Sequence, residues 1–464
     1  MPGYQLDPDL PKGDVLAGDP AARGVDRILI GKLVEAGQAR KLSLDISGEQ
    51  VVAILGKRGT GKSYTLGVML EGLASGKGET PISQLQTARS GLVLDIMDIF
   101  WTSAIDLKPD GSPEIAKQYQ RMRKSGYAPQ PLAIDVWIPA GFARSDIDPP
   151  KVSELRIQAS DLGLDDWADL FGVDIYGEPR GMLIADVVSR VSVEGYTRTT
   201  GEQILPRAQY TFRELLDCLE TARDIVASYR DDTRRSIRQR MASYAALSLF
   251  AGEGTSLASL LKPFRVSILM LARVPDELKK VLVAVLLKRV LRERRDASFA
   301  QKRLDLDSRL NTEEKSKLAN FVNASIPRTW VLLDEAHVLA GVGEGSAAAE
   351  ALIKYAKEGR NYGLSMAVAT QQPSALDPRL TSQAETLIVH QLTAPADAAV
   401  ATQNIRSPLP SKIKLGSTEA TVDILLRRLG QGEMAFSCGN APNLPRLCVA
   451  LVRPRITAHG GYEA

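Results

Sequence analysis

The sequence predicts an α/β fold, a mostly parallel sheet covered by helices on both faces and interrupted by a mainly helical insertion. Apolar runs at Val51–Leu55, Gly91–Asp95, Val266–Leu271, Trp330–Asp334, Leu364–Thr370 and Thr386–Gln391 are near-continuous rather than alternating. That is the pattern of strands buried on both sides. Helical periodicity fills the spaces between them, at Tyr64–Leu73, Asp276–Arg295 and Ala347–Gly359, and strands alternating with helices read as parallel units. Between Gly141 and Lys262 the alternation lapses.

In chain order, residues 1–26 carry turn signals and little periodicity, the mark of an extended arm. Ile28–Ile30 and Lys41–Ile46 read as short strands leading into Val51–Leu55. A polar linker follows at Ser75–Ser90, and Pro131–Ile138 supplies a further strand. Within the insertion, Ser153–Leu162, Phe212–Ser228 and Arg230–Phe250 are the helical candidates. The expected organisation is a short arm at 1–40, a first core segment at 41–140, an insertion at 141–262, a second core segment at 263–439 and a tail at 440–464. No internal repeat is visible.

Composition narrows the function. The chain has 464 residues, 44% hydrophobic and 24% charged, which is globular. A net charge of +3 does not announce a nucleic-acid partner, so local clusters must carry any such argument. Cys218, Cys438 and Cys448 have no metal or disulfide spacing, which points to a reducing cytoplasm. Met1–Asp19 lacks the apolar core of a signal peptide, and the longest apolar stretch, Val281–Leu287, is too short to span a bilayer. A soluble, cytoplasmic protein with no membrane partner is expected.

The most specific motif is Gly56-Lys57-Arg58-Gly59-Thr60-Gly61-Lys62-Ser63, set between an apolar strand and an amphipathic helix. It fits the phosphate-binding pattern G-x-x-x-x-G-K-[S/T] in the context that makes the match credible. Glycines reach positive φ, so successive N–H groups turn inward toward phosphate. Lys62 is the candidate for the β- and γ-phosphates, and the Ser63 hydroxyl for Mg²⁺. Gly56, Arg58, Gly59, Thr60, Gly61, Lys62, Ser63 and Tyr64 form the expected nucleotide-binding set.

Trp330-Val331-Leu332-Leu333 ends in Asp334 and Glu335, two acids at the edge where parallel sheets bind ligands. Asp334 is suited to hold Mg²⁺ and Glu335 to polarise the attacking water; a solvated turn is the alternative. His337 reads as a residue that packs beside this pair. Arg360 is either a guanidinium for the transferring phosphoryl group or a cation favoured by a helix C-terminus. Gln371 and Gln372 follow the strand Leu364–Thr370, as γ-phosphate sensors or as ordinary turn amides.

Together these pieces resemble the HerA branch of the HerA/FtsK ring translocases. The resemblance runs through Ile30-Gly31-Lys32-Leu33, the P-loop and Ser63-Tyr64-Thr65-Leu66-Gly67-Val68, then Pro275-Asp276-Glu277-Leu278. It continues at Leu332-Leu333-Asp334-Glu335-Ala336-His337, Gly359-Arg360-Asn361-Tyr362-Gly363, Ala369-Thr370-Gln371-Gln372-Pro373-Ser374 and the ending Arg453-Pro454-Arg455-Ile456-Thr457-Ala458-His459-Gly460-Gly461. It implies a RecA-like P-loop NTPase core and a homo-hexameric ring that hydrolyses ATP with Mg²⁺ and moves double-stranded DNA. Lys62, Glu335, Arg360 and Gln371 then become the catalytic set, with Arg360 a finger acting in trans and Gln371 a sensor, and Ser63 and Asp334 the metal holders. Two departures stand out. Few residues precede the core strands, where the family usually carries a β-barrel that docks a nuclease. Asp95-Ile96-Met97-Asp98 also stands where relatives tend to show Asp-Pro-His-Gly, which leaves the roles of Asp95 and Asp98 open.

Two basic clusters are candidates for DNA phosphates: Arg230, Arg234, Arg235, Arg238 and Arg240, and Lys288, Arg289, Arg292, Arg294 and Arg295. Interleaved acids make a solvated face the alternative for each. Aromatics at 5% do not favour single-strand stacking. The function expected is a duplex-DNA motor feeding a nuclease or other effector, in end processing or antiviral defence. The alternative is an ATP-gated ring scaffold for an effector, and a conjugative coupling ATPase is disfavoured because such proteins usually carry membrane segments.

Overall fold

The computed structural model describes residues 4–5, 13–18, 25–34, 40–149, 151–343, 345–405, 413–415, 418–438 and 447–461. Most of the expected arm over 1–26 lies outside the described residues. The core strands are β1 (Arg27–Leu33), β2 (Lys41–Asp45), β3 (Val51–Leu55), β4 (Arg89–Asp95), β5 (Ile134–Pro139), β6 (Arg265–Met270), β7 (Arg328–Leu333), β8 (Leu364–Thr370), β9 (Thr386–Val389), β10 (Glu433–Cys438) and β11 (Cys448–Val452). They belong to one large mixed sheet and run in the order β5-β6-β4-β7-β8-β3-β9-β10-β11-β1-β2. Pairing is parallel from β5 to β9 and antiparallel from β9 to β2.

The near-continuous apolar strands have the cause expected of them. In β3, Val51, Ala53 and Leu55 face one core, and Val52 and Ile54 face the other. The second core is closed by helix α1 (Lys62–Leu73) through Leu66, Met69, Leu70 and Leu73. The first takes in helix α2 (Asp276–Leu306), helix α3 (Ala347–Glu358) and the aromatics of the insertion, Trp167, Phe171, Phe212 and Phe250. The insertion therefore shares the sheet's own core. No helix among the described residues is long and apolar enough to cross a membrane.

Several expected boundaries shift. Ser153–Leu162 is not a helix: Val152–Leu155 extends the sheet parallel to β5, and the Ile157 N–H then bonds to the Leu249 carbonyl at 2.8 Å. An unpaired sheet edge outcompetes a weak helical periodicity there. Phe212–Ser228 is two helices, Phe212–Thr221 and Arg223–Ser228, because Ala222 turns extended and bridges to Arg198. The helix expected over Arg230–Phe250 stops at Ala245, whereas α2 continues past Arg295 to Leu306. The linker Ser75–Ser90 contains a small hairpin, Gly78–Glu79 with Ser83–Leu85.

One basic cluster is largely internal. Lys288 pairs with Asp166 at 2.6 Å and Arg289 with Asp161 at 3.2 Å. Arg294 donates to the carbonyls of Tyr362 (3.0 Å) and Ile326 (2.8 Å). These cations tie α2 to the insertion and to the loops around β7 and β8, leaving Arg292 and Arg295 exposed. In the other cluster Arg234 and Arg235 both pair with Asp231, and Arg238 pairs with Glu220.

Within the stretch expected as a tail, the described residues 447–461 pack into the core. β11 enters the sheet between β10 and β1, and the segment after it packs under α1. Glu71 of α1, with no exposed surface, accepts Arg453 Nη1 at 2.7 Å, Arg455 Nε at 3.3 Å and the Thr457 hydroxyl at 2.7 Å. It also accepts the N–H groups of Ile456 and Thr457, each at 3.0 Å. A buried carboxylate is tolerable only when its partners are this complete. Gly67 is required opposite, since a Cβ there would stand 2.6 Å from the Arg455 guanidinium. Glu71→Ala would strand two buried guanidinium groups and is expected to destabilise the fold by about 3–5 kcal/mol. Chemical denaturation measures it, and a loss below about 1 kcal/mol would show that the clasp does not hold this segment.

Candidate functional site

The site forms where β3 ends and α1 begins. Gly59 (φ 77°) and Gly61 (φ 123°) turn the P-loop through backbone that side chains rarely adopt. No side chain caps α1 and no acid lies in its first turn, so its N-terminal N–H groups and positive dipole end face the loop. The Thr60 hydroxyl is spent inside the loop, donating to the Lys57 carbonyl at 2.7 Å. Lys62 is buried, with Nζ donating to the same carbonyl at 3.2 Å. Burial holds its ammonium below the usual lysine range, against the pull of Glu335 and Asp334. Arg58 stands exposed at the loop tip.

Both acids meet this lysine because β7 lies one strand away from β3, across β8. Asp334 follows β7, is buried, and accepts hydrogen bonds from the Ser63 side chain and, at 2.9 Å, from the Glu335 N–H. Burial raises its carboxyl above the usual range, opposed by Ser63 and Lys62. Glu335 turns into the left-handed region (φ 49°), which swings its carboxylate toward β8, where Oε2 accepts the Gln371 N–H at 3.2 Å. Burial, then the charge of Asp334, raises Glu335 as well. His337 Nδ1 lies 3.1 Å from the Thr370 hydroxyl and 3.4 Å from Glu335. Burial and Lys62 depress its basicity, so it packs beside the acids as a neutral ring.

Lys62, Ser63, Asp334, Glu335 and Gln371 are thus brought together. Arg360 is not among them. It precedes β8, whose seven residues put about 20 Å of strand between it and Gln371. There it pairs with Glu385 at 2.8 Å, and Glu385 also accepts the N–H of Val51 at the start of β3. The guanidinium sits at the sheet edge opposite its own P-loop.

One contributor escaped sequence reasoning. His390, just past β9, is fully buried beneath the P-loop, with Nδ1 donating to the Glu433 carbonyl (2.9 Å) and Nε2 accepting from Thr65 (2.9 Å). Burial pushes it down to about 4, so it is a neutral spacer, and a Cβ at Gly56 would lie 2.7 Å from its side chain. A polar residue closing an apolar strand beside the P-loop strand was the available signal. Asp95, whose role the sequence left open, ends β4, and its carboxylate accepts the N–H groups of Ile99 (3.1 Å) and Phe100 (2.7 Å). Asp98 (φ 52°) accepts the Ala272 N–H at 3.4 Å.

In donor chemistry the arrangement suits a nucleoside triphosphate. Loop N–H groups and one ammonium match phosphate oxygens, and a hydroxyl paired with a carboxylate matches Mg²⁺. A P-loop strand separated by one strand from an acid-bearing strand defines a RecA-like P-loop NTPase fold. The chain belongs to the HerA helicase family: the family model "Helicase HerA, central domain" matches residues 28–290, more than half of its length. Among similar proteins is the "DNA double-strand break repair helicase HerA" of Pyrococcus furiosus, 27% identical over 199 residues, covering 41% of this chain and 34% of that protein. Another is the "probable DNA double-strand break repair helicase HerA" of Methanocaldococcus jannaschii, 31% identical over 119 residues, covering 25% and 21%. The chain thus spans about a third or less of the length of these relatives. Among solved structures, VirB4 of Thermoanaerobacter pseudethanolicus is similar at 16% identity and a TM-score of 0.49, covering 96% of this chain and 97% of that one. The plasmid coupling protein TrwB in complex with ADP and Mg²⁺ is similar at 14% identity and a TM-score of 0.48, covering 98% and 97%.

Asp95 yields a pH prediction. Burial, with smaller contributions from Asp98 and Asp334, pushes its carboxyl up to about 7. The folded chain therefore holds a proton that the unfolded chain releases near the ordinary carboxylate value. This group's contribution to stability falls as pH rises from about 4 to about 7. Thermal midpoints in Mg²⁺-free buffer are expected to drop across that window in the unaltered chain and to drop less in Asp95→Asn. Equal slopes would mean that Asp95 ionises normally.

Proposed function

We propose that the chain is the ATP-hydrolysing subunit of a ring motor that moves double-stranded DNA, as a homo-hexamer working with a nuclease or another effector. The observation that carries the reading is the convergence of the Lys62 ammonium with Asp334 and Glu335 at the end of a P-loop, in a chain of the HerA family. Lys62 leaves the Lys57 carbonyl for the β- and γ-phosphates, and the N–H groups of the P-loop surround them. Ser63 and Asp334 hold Mg²⁺, which neutralises phosphate charge when bound. Glu335, its carboxyl raised toward neutrality and steadied by the Gln371 N–H, accepts the proton of the attacking water. The Gln371 side chain follows the γ-phosphate.

Arg360 supports the oligomeric part of the proposal. A guanidinium at the opposite sheet edge cannot serve its own P-loop, but it can complete the site of a neighbouring copy. Duplex DNA is supported by relatives described as DNA double-strand break repair helicases, and the effector partner rests on the family resemblance alone.

Lys62→Ala and Glu335→Gln are each expected to lower DNA-stimulated ATP hydrolysis by about 100-fold or more, read by phosphate release. Hydrolysis that DNA neither stimulates nor accompanies by binding would end the motor reading. Arg360→Ala alone should be inactive, yet mixing it with equally inactive Lys62→Ala subunits should restore part of the activity, because some interfaces then combine an intact P-loop with an intact finger. No restoration, in mixtures shown to co-assemble, would remove the trans role.

A further inference from the structure

A cavity of about 230 Å³ continues past the phosphate-binding turn. Gly61, Lys62 and Ser63 line it, together with Tyr64, Arg121 and His459. This last group comes from three distant parts of the chain and is held by hydrogen bonds. The Tyr64 hydroxyl accepts the Arg455 N–H at 2.7 Å. The His459 ring meets Tyr64 edge-on, with centroids 5.2 Å apart at 79°, and the Arg121 guanidinium lies 5.9 Å from the Tyr64 centroid. Gln118 fixes the backbone of His459 on both sides, accepting its N–H at 2.9 Å and donating to its carbonyl at 3.3 Å.

The proton of His459 is assigned by its partner. Arg455 Nη1 lies 3.1 Å from Nδ1, and a guanidinium only donates, so Nδ1 accepts and Nε2 carries the hydrogen. Burial, then Arg455, pushes the imidazole down to about 3, which keeps it neutral. Beside the phosphate cradle there is thus a chamber with aromatic surface, a planar cation and an N–H donor. Such groups bind a nucleobase and sugar, whose faces stack on rings and guanidinium planes and whose hydroxyls and ring nitrogens accept hydrogen bonds.

We propose that this chamber is a nucleoside subsite, in which Tyr64, Arg121 and His459 receive the base and sugar of the nucleotide whose phosphates occupy the P-loop. The inference rests on the nucleotide reading above and adds to it a role for the C-terminal segment. That segment reads the nucleoside while the P-loop reads the phosphates, and the two are joined because Arg455 contacts both His459 and Glu71 of α1.

Calorimetric titration of the full chain with ADP, ATP and inorganic tripolyphosphate, each with Mg²⁺, separates the two halves of the site. His459→Ala and Arg121→Ala are each expected to weaken ADP and ATP about tenfold, the worth of one hydrogen bond or stacking partner. Tripolyphosphate affinity should stay within about twofold. Arg121 is exposed, so its variant keeps the test alive if His459→Ala fails to fold. Equal weakening of ADP and tripolyphosphate, or of neither, overturns the subsite. An unaltered chain that binds neither tripolyphosphate nor ATP would remove the nucleotide reading, and this inference with it.

Discussion

The structure turns on one burial: an ammonium group held below the protein surface between a helix N-terminus and two carboxylates. Lys62 is desolvated at the start of α1, and Asp334 and Glu335 face it from the next strand but one. Burial pushes each of the three toward its neutral form. Their mutual attraction and the Ser63 hydrogen bond oppose that push. A polyanion with a divalent cation is the kind of ligand such a balance suits, since it offers partners to the lysine and to the acids at once.

The rest of the sheet serves to hold that geometry. Strands buried on both faces leave β7, β8 and β3 little freedom to slip, so the residues ending them stay in register. His390 fills the space under the loop as a neutral ring, where a charged one would repel Lys62. α1 is anchored at its far end by Glu71, whose carboxylate gathers Arg453, Arg455 and Thr457. The helix that begins at the P-loop is thereby fixed to the segment that follows β11.

The charge pattern divides cations by task. Lys288, Arg289 and Arg294 work as internal ties, which explains why a basic run on α2 adds so little open positive surface. Arg360 is half-exposed and held by Glu385 at the edge away from its own P-loop. Glu385 also accepts the Val51 N–H, so a single carboxylate touches both this arginine and the first residue of the P-loop strand.

The sequence by itself determined the parts whose physics is local. A glycine-rich turn after an apolar strand, two acids ending another and alternating periodicities sufficed for the α/β class and singled out Lys62, Ser63, Asp334 and Glu335, which the fold brings together. Their spacing is short-range and their chemistry type-specific. Only the tertiary structure decided what depends on distant segments meeting. Ser153–Leu162 became an edge strand because a sheet edge was open beside it. The segment around Arg453, expected in a tail, became part of the core because Glu71 lies 382 residues away in sequence, yet 2.7 Å away in space. The basic run on α2 looked solvent-facing until Asp161 and Asp166 came to meet it. Burial and pairing belong to the assembled chain, and no stretch of residues carries them alone.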